Sequence, residues 1–387
     1  MVKAIKVMLI PNNVQKTKMF QYAGASRFAY NWALAREIEN YEKGGKFISD
    51  AELRKEFTKL RHSDEYAWLL NISNNVTKQA IKDACTAYKN FFKGLQKFPR
   101  FKSKKRSMPK FYQDNVKIRF SNTHVKFEGF SSSRKANKQK MNWVRLAEHG
   151  RIPTDVKYMN PRISFDGLNW WISVCVEFPD CREILNDDGV GVDLGIKDLA
   201  ICSDGTKYKN INKSQKVKKL EKQKRRLQRS ISRSYEKNKK GESYCKTNNV
   251  IKKEKLLLKR NHRLTNIRKN YLNQTISEIV NRKPRFICIE DLNVSGMMKN
   301  RHLSKAVQEQ GFFWFRKQLE YKCSDKGIQL IVADRFYPSS KLCSCCGNIK
   351  KDLKLSDRVY RCECGNMIDR DFQASINLKT YGEKFAS

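Results

Sequence analysis

Cys343-Ser344-Cys345-Cys346-Gly347 is followed by Cys362-Glu363-Cys364-Gly365, and this second cysteine pair leads directly into Asp369-Arg370-Asp371. Upstream, two acidic residues come at the end of apolar stretches: Asp193 in Gly191-Val192-Asp193-Leu194-Gly195, and Glu290 in Phe286-Ile287-Cys288-Ile289-Glu290. Such stretches predict strands that carry a carboxylate at their end. A thiolate zinc knuckle placed before the third carboxylate of a split Asp/Glu/Asp set predicts a metal-dependent nuclease.

The composition is strongly basic. Lys and Arg together number 80 against 39 acidic residues, which gives a formal net charge of +41 at pH 7. Charge on this scale opposes compaction unless a polyanion neutralises it, and nucleic-acid phosphates release counterions when they bind such a chain. Because 40% of the residues are hydrophobic and 11% aromatic, we expect two or three folded domains that bind nucleic acid, and not a disordered basic tail.

An anionic membrane surface would also attract a basic chain. Here, however, the cations are spread through segments with folded patterns and are interleaved with aromatic residues. No apolar run approaches the ~20 residues that span a bilayer, and residues 1–6 begin as an amphipathic strand and not as a signal peptide. The cysteines, concentrated near the C-terminus, fit a reducing cytosol and a metal site better than a disulfide framework. We therefore expect no membrane partner and a cytoplasmic, nucleoid-associated protein.

The first half is predicted to combine strands with a small helical module. Alternating residues before Pro11 indicate one strand, and residues 116–178 show further strand patterns, so a β-barrel or a sheet closed by the N-terminal strand is expected. Helical spacing covers three stretches, about 17–41, 50–60 and 73–95. Asp50 is the candidate N-cap of the second helix.

Two basic segments are candidate nucleic-acid contacts. In the loop 98–106, aromatic rings alternate with cations, which favours nucleic-acid contact over a solvated linker; the candidates are Arg100, Lys102, Lys104 and Lys105. Residues 213–269 carry 22 Lys or Arg and 4 acidic residues on two predicted helices hinged near 237–241. The length and sign bias of this segment favour a nucleic-acid cradle over a solvated face, with three arginines as contacts: Arg225, Arg226 and Arg229.

Each acidic position has an ordinary alternative. Asp193 could be a turn residue, either Glu290 or Asp291 could face a site, and Asp371 could simply cap a helix. A two-metal site needs carboxylates on rigid elements that bridge cations ~4 Å apart. Three acids in this order, with the cysteine cluster between the second and third, favour the metal site. Asp193, Glu290 and Asp371 are therefore the predicted catalytic ligands of Mg²⁺ or Mn²⁺.

Four cysteines are predicted to bind a structural Zn²⁺ as thiolates: Cys343, Cys346, Cys362 and Cys364. The first pair has the usual two-residue gap and precedes Gly347, which suits a tight turn. The second pair is separated by one residue instead of two. Cys345 is a spare that could replace Cys346, and five free thiols are the alternative to a metal site.

With these residues, the chain resembles TnpB, the RNA-guided DNA endonuclease of bacterial insertion sequences and a relative of type V CRISPR effectors. The resemblance covers essentially the full length and is carried by seven stretches: Phe28-Ala29-Tyr30-Asn31-Trp32, Ala87-Tyr88-Lys89-Asn90-Phe91-Phe92, Phe98-Pro99-Arg100-Phe101, Gly191-Val192-Asp193-Leu194-Gly195-Ile196-Lys197, Glu290-Asp291-Leu292, Pro338-Ser339-Ser340-Lys341-Leu342-Cys343 and Asp369-Arg370-Asp371.

The resemblance implies an α/β fold accompanied by all-β and α modules. A RuvC-like, RNase H-type nuclease domain with a zinc-ribbon insertion would follow a wedge-type β-barrel that is interrupted by a helical recognition module. The implied boundaries are 1–10 and 106–185 for the barrel, 11–105 for the helical module with its basic loop, 186–335 and 366–387 for the nuclease domain with a basic helical hairpin at 213–270, and 336–365 for the zinc ribbon.

The resemblance also implies a guide RNA from the transposon end and a double-stranded DNA target beside a short flanking motif, cut by one active site. Asp371 is preferred to Asp369 because the family motif places the catalytic residue directly before a helix. Arg370 either assists at the scissile phosphate or pairs with an acid. Readers of the flanking motif are expected within Ser49–Lys55 and Ser73–Gln79, with three candidates: Asn74, Lys78 and Gln79.

The chain departs from the family pattern at two positions, since Gln373 stands for a usual Asn and Ser375 for a usual Ala. Neither change removes a carboxylate. Two other functions compete: a nuclease-inactive, RNA-guided DNA-binding regulator and a strand-joining transposase. The complete acidic set favours the nuclease over the regulator, and the zinc knuckle and basic hairpin favour it over the transposase.

Overall fold

The computed structural model describes residues 1–130, 141–179, 183–241, 243–354 and 357–386. The chain folds as two compact units, Met1–Pro179 and Asp180–Ser387. Each unit has its own hydrophobic core. The three predicted catalytic acids and the cysteine cluster all lie in the second unit.

Among the described residues of the first unit, three α-helices and one 3₁₀-helix have defined bounds. Their bounds are α1 Asn13–Glu42, α2 Asp50–Arg61, the 3₁₀-helix Asp64–Asn71 and α3 Asn74–Phe92. The prediction that Asp50 caps α2 is wrong, because Ser49 is the N-cap. The Ser49 hydroxyl accepts from the Glu52 amide and the Glu52 carboxylate accepts from the Ser49 amide, so this capping box satisfies two backbone donors at once.

The first unit also contains a seven-stranded antiparallel sheet with the order β2-β6-β7-β1-β5-β4-β3. The strands are β1 Val2–Ile10, β2 Lys110–Tyr112, β3 Arg119–Phe120, β4 His124–Lys126, β5 Trp143–Leu146, β6 Tyr158–Phe165 and β7 Trp170–Glu177. β1 lies at the centre of this order, where it pairs with β7 on one side and β5 on the other. The pairings among the described residues do not join β2 to β3, so a closed barrel stays a prediction.

A mixed five-stranded sheet forms the centre of the second unit. Its strands are β8 Val190–Leu194, β9 Asp198–Cys202, β10 Lys207–Lys209, β13 Phe286–Glu290 and β14 Gln329–Ala333. The order is β10-β9-β8-β13-β14. β8, β13 and β14 pair in parallel, and β9 runs antiparallel to both of its neighbours, β8 and β10. Val192, Ile287 and Ile289 are fully buried, as their unbroken apolar runs predict for strands covered on both faces.

The described helices of the second unit are α4 Gln215–Lys237, α5 Asn248–Asn281, α6 Val294–Lys299, α7 Ser304–Gln310, α8 Phe312–Lys326 and α9 Arg370–Phe385, with a 3₁₀-helix at Ile211–Lys213. α4 and α5 are the two predicted basic helices. A short strand pair, β11 Lys239–Lys240 and β12 Ser243–Tyr244, lies at the predicted hinge. Among the described residues, no helix has the length and apolarity needed to span a membrane.

Helix α9 lies directly against the end of β8. A Cβ atom on Gly191 would be 2.0 Å from the Ser375 carbonyl oxygen and 2.4 Å from the Lys379 amide nitrogen, so this approach requires a glycine. The strand pair β15 Val359–Arg361 and β16 Met367–Asp369 leads into the helix. This packing holds the first turn of α9 at the edge of the sheet where β8 and β13 end.

Candidate functional site

The three predicted carboxylates come from two neighbouring strands and one helix. β8 and β13 pair in parallel with Val192 opposite Ile289, and the next step of this register brings Asp193 beside Glu290. Asp371 lies in the first turn of α9. The structure therefore brings Asp193, Glu290 and Asp371 to one edge of the sheet, although 178 residues separate the first from the last.

Burial and mutual repulsion disfavour the charged forms of Asp193 and Glu290. Desolvation raises the pKa of Asp193 well above its usual value, and the charges of Glu290 and Asp371 raise it further. Burial also raises the pKa of Glu290, which the Ser339 hydroxyl opposes. Carboxylate oxygens are the ligands that hard divalent cations prefer, and a bound cation would offset the repulsion that helps to raise the pKa of Asp193 and Glu290.

The structure resolves which acid of the Glu290-Asp291 pair faces this set. Asp291 is turned towards two arginines: Arg316 donates to one of its carboxylate oxygens at 2.7 Å and Arg335 to the other at 2.5 Å. These bonds lower the pKa of Asp291. Glu290 instead accepts a hydrogen bond from Ser339 and lies within electrostatic reach of Asp371. Glu290 is therefore the acid that is available to a metal.

The two aspartates at the start of α9 have different tasks. Asp369 is the N-cap, and one of its oxygens accepts from the amides of Asp371 at 3.1 Å and Phe372 at 3.0 Å. The alternative in which Asp371 is the helix cap is therefore not observed, because Asp369 accepts from both backbone amides. Arg370 donates to Asp371 at 3.1 Å, so the ion-pair alternative for Arg370 is realised here.

Sequence reasoning missed the contact between Ser339 and Glu290. Ser339 is buried, and its hydroxyl donates to one Glu290 oxygen. It also missed Arg358, whose guanidinium lies 3.8 Å from Asp371. The segment that carries Ser339 was among the stretches that resemble the family, but a partner 49 residues away along the chain leaves no local pattern.

The four predicted zinc ligands converge as expected. The sulfur atoms of Cys343, Cys346, Cys362 and Cys364 all lie within 4.8 Å of one another. The Sγ–Sγ distances are 3.7 Å between Cys343 and Cys364 and 3.5 Å between Cys346 and Cys362. A tetrahedral Zn²⁺ with Zn–S bonds of about 2.3 Å needs sulfurs about 3.8 Å apart, so the thiols fit the ion. Cys345 is exposed and lies outside this group.

The pKa of one thiol in this group is lowered, which favours the thiolate form that binds a metal. Burial alone would raise the pKa of Cys343, but the Cys346 amide and the Asn366 side chain lower it to about 6. The Asn366 amide lies 3.4 Å from the Cys343 sulfur and also donates to Gln373 at 2.9 Å. The Asn366 side chain thus links the cysteine cluster to Gln373 of α9.

The candidate contacts in the basic loop do not share one environment. Arg100, Lys104 and Lys105 are exposed. Lys102 is half-buried with its ammonium 3.0 Å from the centre of the Tyr30 ring, and desolvation lowers its pKa to about 7. Lys102, Lys104 and Lys105 line a cavity of about 680 Å³ together with Arg27. The loop therefore forms a concave basic surface within the first unit.

The candidate readers at the start of α3 differ in availability. Lys78 is exposed. The Gln79 amide donates to Asp83 at 2.9 Å, and Asp83 also accepts two hydrogen bonds from Arg162, at 2.6 and 2.9 Å. Asn74 accepts from the Thr77 hydroxyl. In this structure Lys78 is the candidate whose side chain is most open to a base edge.

The three candidate arginines of α4 are exposed and lie along one cavity of about 610 Å³. Behind them, Val217 and Leu220 of α4 pack with Leu264 of α5. Leu256 of α5 lies outside this packing and is 43% exposed. A small apolar seam thus holds the helices together and leaves the cations Arg225, Arg226 and Arg229 at the surface.

Comparison with known protein families gives three matches along the chain. A "Helix-turn-helix domain" model matches residues 1–46, the OrfB_IS605 model, described as "Probable transposase", matches residues 173–301, and a "Cas12f1-like, TNB domain" model matches residues 312–378. The last segment contains all four clustered cysteines and Asp371.

Full-length relatives are also found among curated proteins. The chain is 31% identical over 379 residues to "Putative RNA-guided DNA endonuclease InsQ" of Escherichia coli (strain K12), covering 93% of this chain and 87% of that protein. It is 28% identical over 382 residues to a "Putative RNA-guided DNA endonuclease" of Streptomyces pristinaespiralis, covering 98% and 89%.

Among solved structures, the chain is similar to the protein in "Cryo-EM structure of the Cas12f1-sgRNA-target DNA complex". The TM-score is 0.62 with 12% sequence identity, and the match covers 98% of each chain. Similarity at this low identity shows a shared fold. It agrees with the mixed α/β architecture and the cysteine cluster described above.

Proposed function

The chain belongs to the TnpB/IS605 family, and from this premise we propose that it is an RNA-guided, metal-dependent DNA endonuclease. The observation that carries the proposal is the convergence of Asp193, Glu290 and Asp371 at one sheet edge. The partners are a guide RNA from the transposon end and double-stranded DNA beside a short flanking motif. Guide pairing reads the target sequence, and the protein reads the motif and the backbone of the heteroduplex.

We assign the second unit as a RuvC-like, RNase H-type nuclease domain with a zinc-ribbon insertion. A five-stranded sheet in the order β10-β9-β8-β13-β14, in which β9 alone is reversed, supports this assignment. The position of the cysteine cluster before α9 also supports it. We assign two further parts in the same proposal. The wedge-type barrel comprises residues 1–10 and 106–185, and the helical recognition module comprises residues 11–105.

Each acid has a defined part in the proposed reaction. Asp193 and Glu290 are held on adjacent rigid strands, and Asp371 faces them from the helix, so the three present oxygen ligands to Mg²⁺ or Mn²⁺. Divalent ions held by these three acids would supply an activated water and would stabilise charge on the leaving oxygen of the phosphodiester. Arg370 and Arg358, both near Asp371, place positive charge where a phosphate would enter.

The remaining predicted residues serve binding in this proposal. Arg225, Arg226 and Arg229 contact nucleic-acid backbone, since phosphates take up exposed cations without reading sequence. Lys78 and its neighbours at the start of α3 are placed to read the flanking motif. The zinc ligands hold the ribbon together, because so short a segment buries little core of its own.

The test uses the protein co-expressed with its transposon-end RNA and a plasmid library with randomised sequence beside the target. Mg²⁺-dependent breaks are mapped by sequencing for the wild type, Asp193→Ala and the control Asp187→Ala, which changes an exposed acid before β8. Breaks beside a single motif in the wild type and the control, and none in Asp193→Ala, are the expected result.

Other results would replace the proposal. Motif-specific binding without breaks in the wild type would identify an RNA-guided regulator. Strand-joined products that form without the RNA would identify a transposase. Breaks that persist in Asp193→Ala would place the active site elsewhere in the chain.

A further inference from the structure

A buried serine contacts one of the proposed catalytic acids. Ser339 is 3% exposed, and its hydroxyl donates to Oε1 of Glu290. It lies in the segment between β14 and the zinc cluster, four residues before the ligand Cys343. Since the serine bonds only one Glu290 oxygen, the other oxygen is left for a cation.

Ser339 is itself held by a second buried side chain. Asn377 is 2% exposed, and its Nδ2 donates to the carbonyl oxygens of Ser339 and Leu342, both at 2.7 Å. The Tyr337 hydroxyl in turn donates to the backbone carbonyl oxygen of Asn377 at 3.1 Å. Both amide hydrogens of Asn377 are therefore used to fix this one turn of the chain against α9.

The turn connects three parts of the second unit. Within it, the amides of Lys341 and Leu342 both donate to the Pro338 carbonyl at 2.9 Å. One end reaches Glu290 at the end of β13, the middle is bound by Asn377 six residues after Asp371, and the other end enters the zinc cluster at Cys343. A movement of the turn would therefore move the Glu290 carboxylate.

We propose that Ser339 is a positioning residue that orients Glu290 for metal binding, and that Asn377 sets the place of Ser339. The inference rests on the proposed function only in taking Glu290 as a metal ligand. A carboxylate ligand with a second partner on its other oxygen loses less freedom when the cation binds. Loss of such outer partners typically weakens metal binding by about 10- to 100-fold.

The test compares Ser339→Ala with Ser340→Ala, the neighbouring half-buried serine for which no bond to an acid is found among the described residues. Mn²⁺ binding to the RNA-bound protein is measured by electron paramagnetic resonance, and cleavage is measured as a function of Mn²⁺ concentration. Zinc content and the unfolding midpoint are recorded for each variant. Asp193→Ala identifies the signal from the acidic site.

For Ser339→Ala we expect Mn²⁺ binding at least about tenfold weaker and a matching rise in the half-saturating Mn²⁺ concentration. Cleavage at saturating Mn²⁺ falls much less, because the cation then restores the Glu290 position. Zinc content stays at the wild-type level, and Ser340→Ala behaves as the wild type. Ser339→Thr, which keeps a hydroxyl, recovers most of the Mn²⁺ affinity.

Equal Mn²⁺ affinity in Ser339→Ala and the wild type would overturn the proposal. So would a fall in cleavage rate that is the same at every Mn²⁺ concentration. If Ser339→Ala does not fold, Ser339→Cys replaces it, since the thiol fills similar space and is a weak donor. The binding signal needs no cleavage, so a wild type that binds Mn²⁺ through Asp193 but does not cut would refute the proposed function and still test the role of Ser339.

Discussion

At the scale of single residues, neighbours with the same chemistry have different roles. Glu290 and Asp291 are adjacent acids at the end of one strand, yet Asp291 is paired with Arg316 and Arg335 while Glu290 faces the acidic set. Glu290 is the last residue of β13 and Asp291 the first residue after it, where two arginines hold its carboxylate. These different environments lead to a direct comparison of the two acids.

Glu290→Gln is expected to lower metal-dependent cleavage by about 1,000-fold or more, because losing an ionised metal ligand costs several kcal/mol of transition-state stabilisation. Asp291→Asn is expected to keep cleavage within about tenfold of the wild type and to lower the unfolding midpoint slightly, since two half-exposed ion pairs are lost. Single-turnover cleavage at saturating Mg²⁺ measures both. A larger loss in Asp291→Asn would show that the assignment of the pair is reversed.

Lys102 leads to a prediction about pH. Its folded-state pKa is about 7, against about 10.5 for an unfolded lysine, mainly because the ammonium is desolvated. Between these pH values the unfolded chain binds more protons than the folded chain, so Lys102 makes folding stability rise with pH from about 7 to about 10. Below pH 7 Lys102 is charged in both the folded and the unfolded state, so folding carries the full cost of desolvating its ammonium.

Lys102→Met is therefore expected to raise the unfolding midpoint at pH 6 and to reduce the rise in stability between pH 7 and 9. The exposed Lys104→Met serves as the control and should change neither. Thermal unfolding of the RNA-free chain at several pH values gives both quantities. An unchanged pH slope in Lys102→Met would contradict the lowered pKa.

At the scale of secondary-structure elements, α9 determines where the third acid lies. The helix begins at Arg370 because Asp369 caps it, and it lies close to β8 because Gly191 has no side chain. The same closeness brings Asp371 to Asp193. A change in the packing of this helix therefore affects stability and the acidic site together.

Gly191→Ala is expected to destabilise the protein by roughly 1–3 kcal/mol and to lower cleavage, because the new methyl group overlaps the backbone of α9. Gly24→Ala in α1 is the control. There a Cβ meets nothing within 4 Å, and we expect a gain of roughly 0.5–1 kcal/mol from helix propensity. Denaturant unfolding measures both changes. Wild-type stability in Gly191→Ala would mean that α9 can move away without cost.

The basic helices α4 and α5 form the second element whose role can be measured. Replacing Arg225, Arg226 and Arg229 by Gln is expected to reduce the salt dependence of nucleic-acid binding by about 2–3 units of slope, since each phosphate contact contributes about 0.7–0.9. The control replaces three lysines that are already paired with glutamates: Lys43, Lys317 and Lys326. Both variants lose the same net charge.

Binding is measured from 0.1 to 0.5 M salt. A slope that falls only in the arginine variant supports a local contact on α4. Equal changes in both variants would show that net charge alone, and not this surface, governs binding.

At the scale of the whole molecule, the formal net charge of +41 makes salt act in opposite ways on the stability of the free chain and of its RNA complex. Salt screens the repulsion within the free chain but weakens its attraction for a polyanion. Raising salt from 0.15 to 1 M is therefore expected to raise the unfolding midpoint of the RNA-free protein and to lower that of the RNA-bound protein. Thermal unfolding of both forms provides the measurement. Shifts of the same sign in both would mean that RNA does not neutralise the cations.

Local patterns in the sequence predicted many of the elements well. The apolar runs before Asp193 and Glu290 are strands, the paired cysteines meet, and the basic segment forms two helices. Errors arose where two neighbouring residues offered the same chemistry, as with Ser49 and Asp50 at one helix start. A capping residue is chosen by backbone geometry over three or four residues, which composition does not specify.

The sequence by itself determined the charge, the metal-binding residue types and the order of the three acids along the chain. These are properties of residue identity and local spacing. Only the tertiary structure decided that Glu290 and not Asp291 joins the acidic set, that Asp369 and not Asp371 caps α9, and that Ser339 bonds Glu290. Such contacts join residues far apart in the chain, and they exist only once the packing of strand, helix and turn has fixed which atoms meet.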